Sequence, residues 1–437
     1  MSADLRLASR GARLEDDAGA SSSEQVRARP FAAPAKPRAM TGRAYIATFG
    51  VLALAGFVLI AALGLAVDAY GVFSTRLIRA SHFPPQLRLA KHWDRVTKAI
   101  EIAQRQGDEV LFLGDSRFQR GIDPDSPALT GIRGYNAALV GATLAEQITV
   151  LDYSLDHEPS IKRVVWGLSL EEFPFPPFKF SDHADSAFAG RSILSGLLRH
   201  LFAYDRMISS WKALSQARHL VHAQMKRNGA VYYEGGPVEG PAVAKFFEDE
   251  LKGTSRNLSG PLSPTAIETA HADLGRRLAE LKAAGIDVDL VLVPPHVWRL
   301  EFFRRIGAEA QHEAWKSRIA STVESLSSAP GTGRLRLFDF ARPHRLVEQS
   351  IFAPPPPGEM RYFLESSHFY PWLGDKMLAR LFGEDKDAEG DSFGREIGHG
   401  AAMISIEEDI ATARAALDLW ESMHADEVGL IKSIVLP

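Results

Sequence analysis

Along the 437 residues the apolar positions fall into two different patterns. The first is one unbroken stretch, Ala44–Val67 (AYIATFGVLALAGFVLIAALGLAV), with no charge in it. At ~1.5 Å per residue it is roughly 36 Å long as a helix, enough to cross a hydrocarbon core of ~30 Å with some tilt. The second pattern begins after residue 107. Short apolar runs at Glu109–Leu113 (EVLFL), Arg163–Leu168 (RVVWGL), Val288–Val293 (VDLVLV) and Leu335–Phe340 (LRLFDF) have the length of strands buried on both faces. Between them the spacing lengthens to that of helices, over 144–155, over 314–326 and over a long stretch opened by Ser263-Pro264. There Ser supplies an N-cap, Pro a first helical residue, and Leu274, Leu278 and Leu281 a buried stripe. Strands alternating with helices predict an α/β domain with a mostly parallel sheet.

The remaining segments fit around this core. Residues 1–43 are rich in Ala, Ser, Arg and Pro, too poor in large apolar side chains to offset chain entropy, and are expected to be a disordered tail. Arg27, Arg29, Lys36, Arg38 and Arg43 precede the apolar run with no acid among them, whereas Asp68, Arg76 and Arg79 follow it. The positive-inside rule then puts the tail in the cytoplasm and everything after Val67 across the membrane. A cleavable signal peptide has a shorter apolar region nearer the start, so an uncleaved anchor is the reading. Residues 68–107 are expected to form a helical neck, and 174–260 a helical insertion at the carboxyl edge of the sheet, where substrate-selecting elements commonly sit. Residues 384–400 read as a linker. In the tail that follows, Ser405 and Glu408 form a capping box, with Ile406, Ile410, Ala413, Leu417 and Trp420 on one helical face.

Composition narrows the chemistry. A net charge of −4 gives no drive toward nucleic acid. The absence of cysteine removes disulfides, thiolate nucleophiles and every Cys-based metal site. Neither a phosphate-binding loop nor a dinucleotide fingerprint is present, so no cofactor is expected. His219 and His222, three apart, and His183 do not add up to a metal site. The Phe173–Phe180 cluster (FPFPPFKF) reads as a hydrophobic seal over the core.

The candidate chemistry lies at strand ends. In EVLFLGDSRFQRGIDP (109–124) a buried strand meets Gly114, and Asp115-Ser116-Arg117 follows, which places Ser116 at the carboxyl end of an early parallel strand. Taken alone, the tripeptide is better read as a plain strand-to-helix turn in which Asp and Ser cap the next helix. Near the other end, in YFLESSHFYPWLG (362–374), His368 follows Glu365 by three residues and opens a helix. A serine nucleophile needs a base, and the base needs a group to hold its tautomer; Ser116, His368 and Glu365 have the types for those roles.

With these blocks the chain resembles the SGNH (GDSL-like) hydrolases, over roughly 108–383. Gly114-Asp115-Ser116 matches their first block, Gly141 in NAALVGAT their second, and Glu365-Ser366-Ser367-His368 their Asp-x-x-His block. The resemblance implies a three-layer α/β/α fold, with an oxyanion hole built from the N–H groups of Ser116 and Gly141. Two departures stand out. Trp166-Gly167-Leu168-Ser169 has no Asn where the third block offers one to the oxyanion, and Glu365 stands where Asp is usual. Losing one such donor costs ~10²–10³ in rate unless another group replaces it. Arg117, Arg120 and Asn136 are the available substitutes. His296 and Arg299, after the Val288–Val293 run, are candidate substrate-binding residues. The resemblance is strongest to membrane-anchored bacterial relatives that add or remove acyl groups on envelope polysaccharides. It implies an extracytoplasmic esterase or O-acyltransferase, with the bilayer, an acylated polysaccharide and envelope biosynthesis proteins as partners. A catalytically inactive glycan-binding or scaffolding protein is the alternative.

Overall fold

The computed structural model of the chain describes residues 41–68, 72, 88–89, 94–173, 181–202, 204, 207–208, 211, 223–233, 242–258, 264–355, 360–383, 393–398 and 403–435. Residues 1–40 of the expected tail 1–43, the Pro-rich cluster after Phe173, His219, His222 and residues 384–392 and 399–400 of the expected linker lie outside them. The chain falls into two compact units, 1–54 and 55–437. In the first, the described residues are the start of a helix that ends in the second.

That helix, α1 (Gly42–Val67), is long and apolar enough to cross a membrane. Eleven more follow among the described residues. They are α2 (Asp94–Gln104), α3 (Ser116–Gly121), α4 (Leu144–His157), α5 (Ile193–Phe202), α6 (Ala242–Leu258), α7 (Pro264–Ala283), α8 (Val297–Arg305), α9 (Glu309–Ser327), α10 (Pro371–Phe382), α11 (Ile406–Met423) and α12 (Ala425–Val435). The main sheet has six strands, β1 (Val110–Leu113), β2 (Gly134–Asn136), β3 (Arg163–Leu168), β4 (Asp287–Leu292), β5 (Leu335–Asp339) and β6 (Arg395–Ile397). Their spatial order is β2-β1-β3-β4-β5-β6. All neighbours are parallel except β5 and β6.

Successive strand side chains point to opposite faces, which explains the near-continuous apolar runs. Leu111, Leu113, Trp166 and Leu290 pack with Ile102, Leu151, Leu278 and Ile319 of α2, α4, α7 and α9 on one face. Phe112, Val165, Val291 and Phe338 pack on the other with side chains of α3, α6, α8, α10, α11 and α12, among them Phe118, Phe247, Trp298, Leu373, Trp420 and Ile431. Two buried faces around a mostly parallel sheet make the three-layer α/β/α domain expected.

Three expectations need correction. The neck holds α2 and also a short strand, Arg88–Leu89, which joins Ala223–Met225 and Val231–Tyr233 in a three-stranded antiparallel sheet. For the same reason the insertion is mixed rather than helical. Past residue 383, Arg395–Ile397 is β6 of the main sheet and two helices follow, where a linker and one helix were expected.

Candidate active site

The strand order fixes where the site forms. The chain leaves β1 toward β2 on one side and leaves β3 toward β4 on the other, so a crevice opens outside the carboxyl ends of β1 and β3. At the end of β1, Gly114 has φ +152°, and a Cβ there would come within 2.8 Å of Phe118 Cβ. Only glycine fits this turn. The Asp115 carboxylate accepts the Arg117 N–H at 2.8 Å and caps α3, so Ser116 is the first residue of that helix and faces the crevice. The cap is therefore Asp115, and Ser116 beside it faces the crevice.

Ser116 Oγ lies 2.7 Å from His368 Nε2. His368 is in the loop before α10, which starts only at Pro371, so it does not open a helix as expected. Its Nδ1 hydrogen-bonds the Glu365 carboxylate. Glu365 also accepts the backbone N–H groups of Ser367 at 2.8 Å and His368 at 3.0 Å. Burial pushes the Glu365 carboxyl up, but the charge and hydrogen bond of His368, the Ser367 N–H and the Arg299 charge hold it down at about 2. The carboxylate therefore stays ionised and favours a proton on Nδ1, leaving Nε2 to accept from Ser116.

Ser116, His368 and Gly141 line one cavity of about 190 Å³. Gly141 has φ +58°. The Ser116 and Gly141 N–H groups have no protein hydrogen-bond partner among the described residues.

The expected substrate-binding residues separate. Arg117 and Arg299 line the cavity. Arg120 does not. His296 is buried at the start of α8, where Nδ1 accepts the Trp298 N–H at 3.3 Å and Nε2 faces Gln349 O at 2.9 Å. Burial lowers its pKa to about 3, so it is a neutral helix cap rather than a substrate ligand. Asn136 is fully buried, with Nδ2 donating to Phe118 O at 2.9 Å and Ile122 O at 2.7 Å, and Oδ1 accepting the Ala138 N–H at 3.1 Å. It braces α3 against β2 and has no donor left for an oxyanion. His183 Nδ1 bonds Glu146 Oε1 at 2.8 Å, in a buried network with Arg95 and Asp182. Among the described residues no His, Asp or Glu cluster has the arrangement of a metal site.

Sequence reasoning missed the acidic half of the cavity. Glu171 and Glu172, just past β3, and Glu250 and Thr254 of α6 line it. Glu171 bonds Arg299 and lies 3.2 Å from Arg117, and Arg299 reaches Glu250 at 2.5 Å. Burial raises the Glu171 carboxyl, yet the two guanidinium charges hold it well below the usual carboxylate range. Glu172 behaves oppositely. Burial, followed by the Asp115 charge, pushes its carboxyl well up, even though Ser169 Oγ and Gln147 Nε2 donate to it at 2.8 and 2.9 Å. Two acids directly after a buried strand were the available signal.

No known family matches the chain, and no curated protein does. Among solved structures it is similar to a Streptococcus pneumonia protein provisionally described as a platelet activating factor. The two are 9% identical with a TM-score of 0.32, over 68% of this chain and 93% of that one, too slight a likeness to bear on function.

Proposed function

We propose that the protein is a membrane-anchored serine esterase or O-acyltransferase, acting outside the cytoplasm on acyl esters of an envelope polysaccharide. The observation that carries this reading is the chain Ser116–His368–Glu365 in a cavity where two backbone N–H groups remain unpartnered. Ser116 Oγ attacks the ester carbonyl while its proton passes to His368 Nε2. The imidazolium is stabilised by Glu365, and the oxyanion by the N–H groups of Ser116 and Gly141. Collapse breaks the bond to the leaving oxygen, which takes the proton from Nε2 and leaves an acyl-Ser116. Water or a sugar hydroxyl, giving its proton to His368 Nε2, then attacks the acyl carbon, and Ser116 Oγ leaves with that proton. Water gives hydrolysis and the hydroxyl gives transfer. Of the three substitutes for the missing Asn, only Arg117 lines the cavity. Glu171, Glu250 and Thr254 offer acceptors for sugar hydroxyls, which favours a polyol substrate.

The test is labelling of the full chain by a fluorophosphonate, together with hydrolysis of an aryl acetate. Both should vanish in Ser116→Ala with the melting temperature unchanged. Retention of most turnover in Ser116→Ala would reduce Ser116 to a helix-start residue. Reporter fusions after residue 80 should be active only in their extracytoplasmic form, and a cytoplasmic signal would overturn the location.

A further inference from the structure

Helix α5 takes no part in the cavity, and its two faces differ in what they touch. On one face Ile193 and Leu197 pack, with Leu63 of α1, against Val67, Val72, Val96 and Ile100. At the other end of α5 the Phe202 ring meets Phe57 edge-on, centroids 5.9 Å apart. The beginning of α5 thus neighbours the end of α1, and its end neighbours a residue ten positions earlier. The two helices run antiparallel.

The face of α5 turned away from this cluster is apolar and largely exposed, and at its end Phe202 also touches Phe57 of α1. Leu194, Leu198 and Phe202, spaced i, i+4 and i+8, are 66%, 50% and 46% exposed. Tyr204 and Trp211 beyond it are exposed as well, and so are Phe57, Val58 and Leu59 on the adjoining part of α1. From Gly190 to Tyr204 there is no acid, while Arg191 and Arg199 are present, Arg199 paired with Asp185. An apolar stripe with basic residues and with Tyr and Trp at its end is the pattern of a helix seated in the lipid–water boundary. Exposed patches of this extent mark an interaction surface, and this one continues the surface of the helix read as a membrane span.

We propose that α5 is a second membrane-seated element, with Leu194, Leu198 and Phe202 in contact with lipid in the leaflet crossed by the carboxyl-terminal half of α1. The proposal rests on the reading of α1 as a span. It makes the domain a body held against the bilayer at two points rather than one tethered by a single helix. The orientation of the cavity toward the surface then becomes fixed.

The natural absence of cysteine allows single-site labelling of the full chain. In nanodiscs, Leu194→Cys, Leu198→Cys and Phe202→Cys each carry a bimane, with Leu59→Cys on α1 and the exposed Leu419→Cys on α11 as references. The α5 labels should be quenched by nitroxide-bearing lipid as the Leu59→Cys label is, and several-fold less by aqueous iodide than the Leu419→Cys label. Iodide quenching of the α5 labels, with Leu59→Cys still lipid-quenched, would overturn this proposal alone. Protection of the α5 labels from both quenchers would mean a protein cover and would also overturn it. Failure of lipid quenching at Leu59→Cys would overturn the span reading and this proposal together.

Discussion

Replacing Glu365 by Gln keeps the shape of the side chain and removes its charge. The wild-type carboxyl lies at about 2 against an ordinary 4.5, although burial acts in the other direction. That difference corresponds to about 3 kcal/mol of net preference for the ionised form, to which the charge and hydrogen bond of His368 contribute most, ahead of the Ser367 N–H and the Arg299 charge. The interaction is fully used only when His368 becomes an imidazolium, so its loss falls on the transition state. A barrier raised by about 3 kcal/mol slows the reaction ~10²–10³-fold. The amide of Gln also offers a donor to Nδ1, which favours the wrong tautomer. The assay is steady-state hydrolysis of an aryl acetate by the full chain. We expect kcat to fall by that factor with KM nearly constant, and His368→Ala to be at least as damaging. The double variant should be little worse than His368→Ala, because the two residues act as a unit. A kcat within about threefold of wild type, in a Glu365→Gln protein with unchanged melting, would refute the reasoning, since the geometry would then hold a carboxylate that does no electrostatic work.

Other consequences follow from the same physics. Glu171→Gln leaves Arg117 and Arg299 buried with one counter-charge fewer and should cost about 3–5 kcal/mol in urea unfolding; a loss below about 1 kcal/mol would show that the cavity is wetter than its burial indicates. Gly114→Ala places a Cβ 2.8 Å from Phe118 Cβ at φ +152°, so fluorophosphonate labelling should drop at least tenfold, and normal labelling would refute the strained-turn argument. Asp409 of α11 is raised to about 7, first by burial and then by the charge of Asp339. Its folded pKa exceeds the unfolded value, so the folded state keeps a proton that the unfolded chain has released. Stability from this group therefore declines as pH rises from ~4 to ~7 and is level above that. Urea unfolding at pH 5, 6, 7 and 8 should show a decline that Asp409→Asn reduces by about 2–3 kcal/mol over the range, and identical slopes in both proteins would sink the assignment.

Much of the architecture was legible because buried parallel strands leave a dense apolar signature that a helix of the same length lacks. Glu109–Leu113 running into Gly114 located Ser116, since the geometry of a parallel sheet puts whatever follows β1 at the carboxyl edge. The pairing of Glu365 with His368 was readable from spacing within one loop. Side-chain direction was not. Asn136 and Gly141 lie in one short segment, yet the carbonyls of Phe118 and Ile122 turn the Asn side chain inward, and this depends on how α3 packs. His296 was misread because a capping imidazole and a substrate-facing one have the same sequence context. Glu250 reaches the cavity from α6, inside an insertion whose path no local pattern encodes. Arg395–Ile397 has three residues between glycines, too short for any periodicity to declare a strand.

β6 gives the order of synthesis a structural meaning. Its partner β5 ends at Asp339, and every residue of the proposed catalytic set has been made by His368, but β6 is made only later. Until then Leu337 and Asp339 present their outer N–H and C=O groups to whatever strand comes near. Trp420 and Ile431 are also still missing from the layer that covers Phe338. A chain stopped between residues 370 and 394 would carry all the chemistry and none of the seal. Its open flank would be a template for a second copy, which makes a chain stopped there prone to self-association.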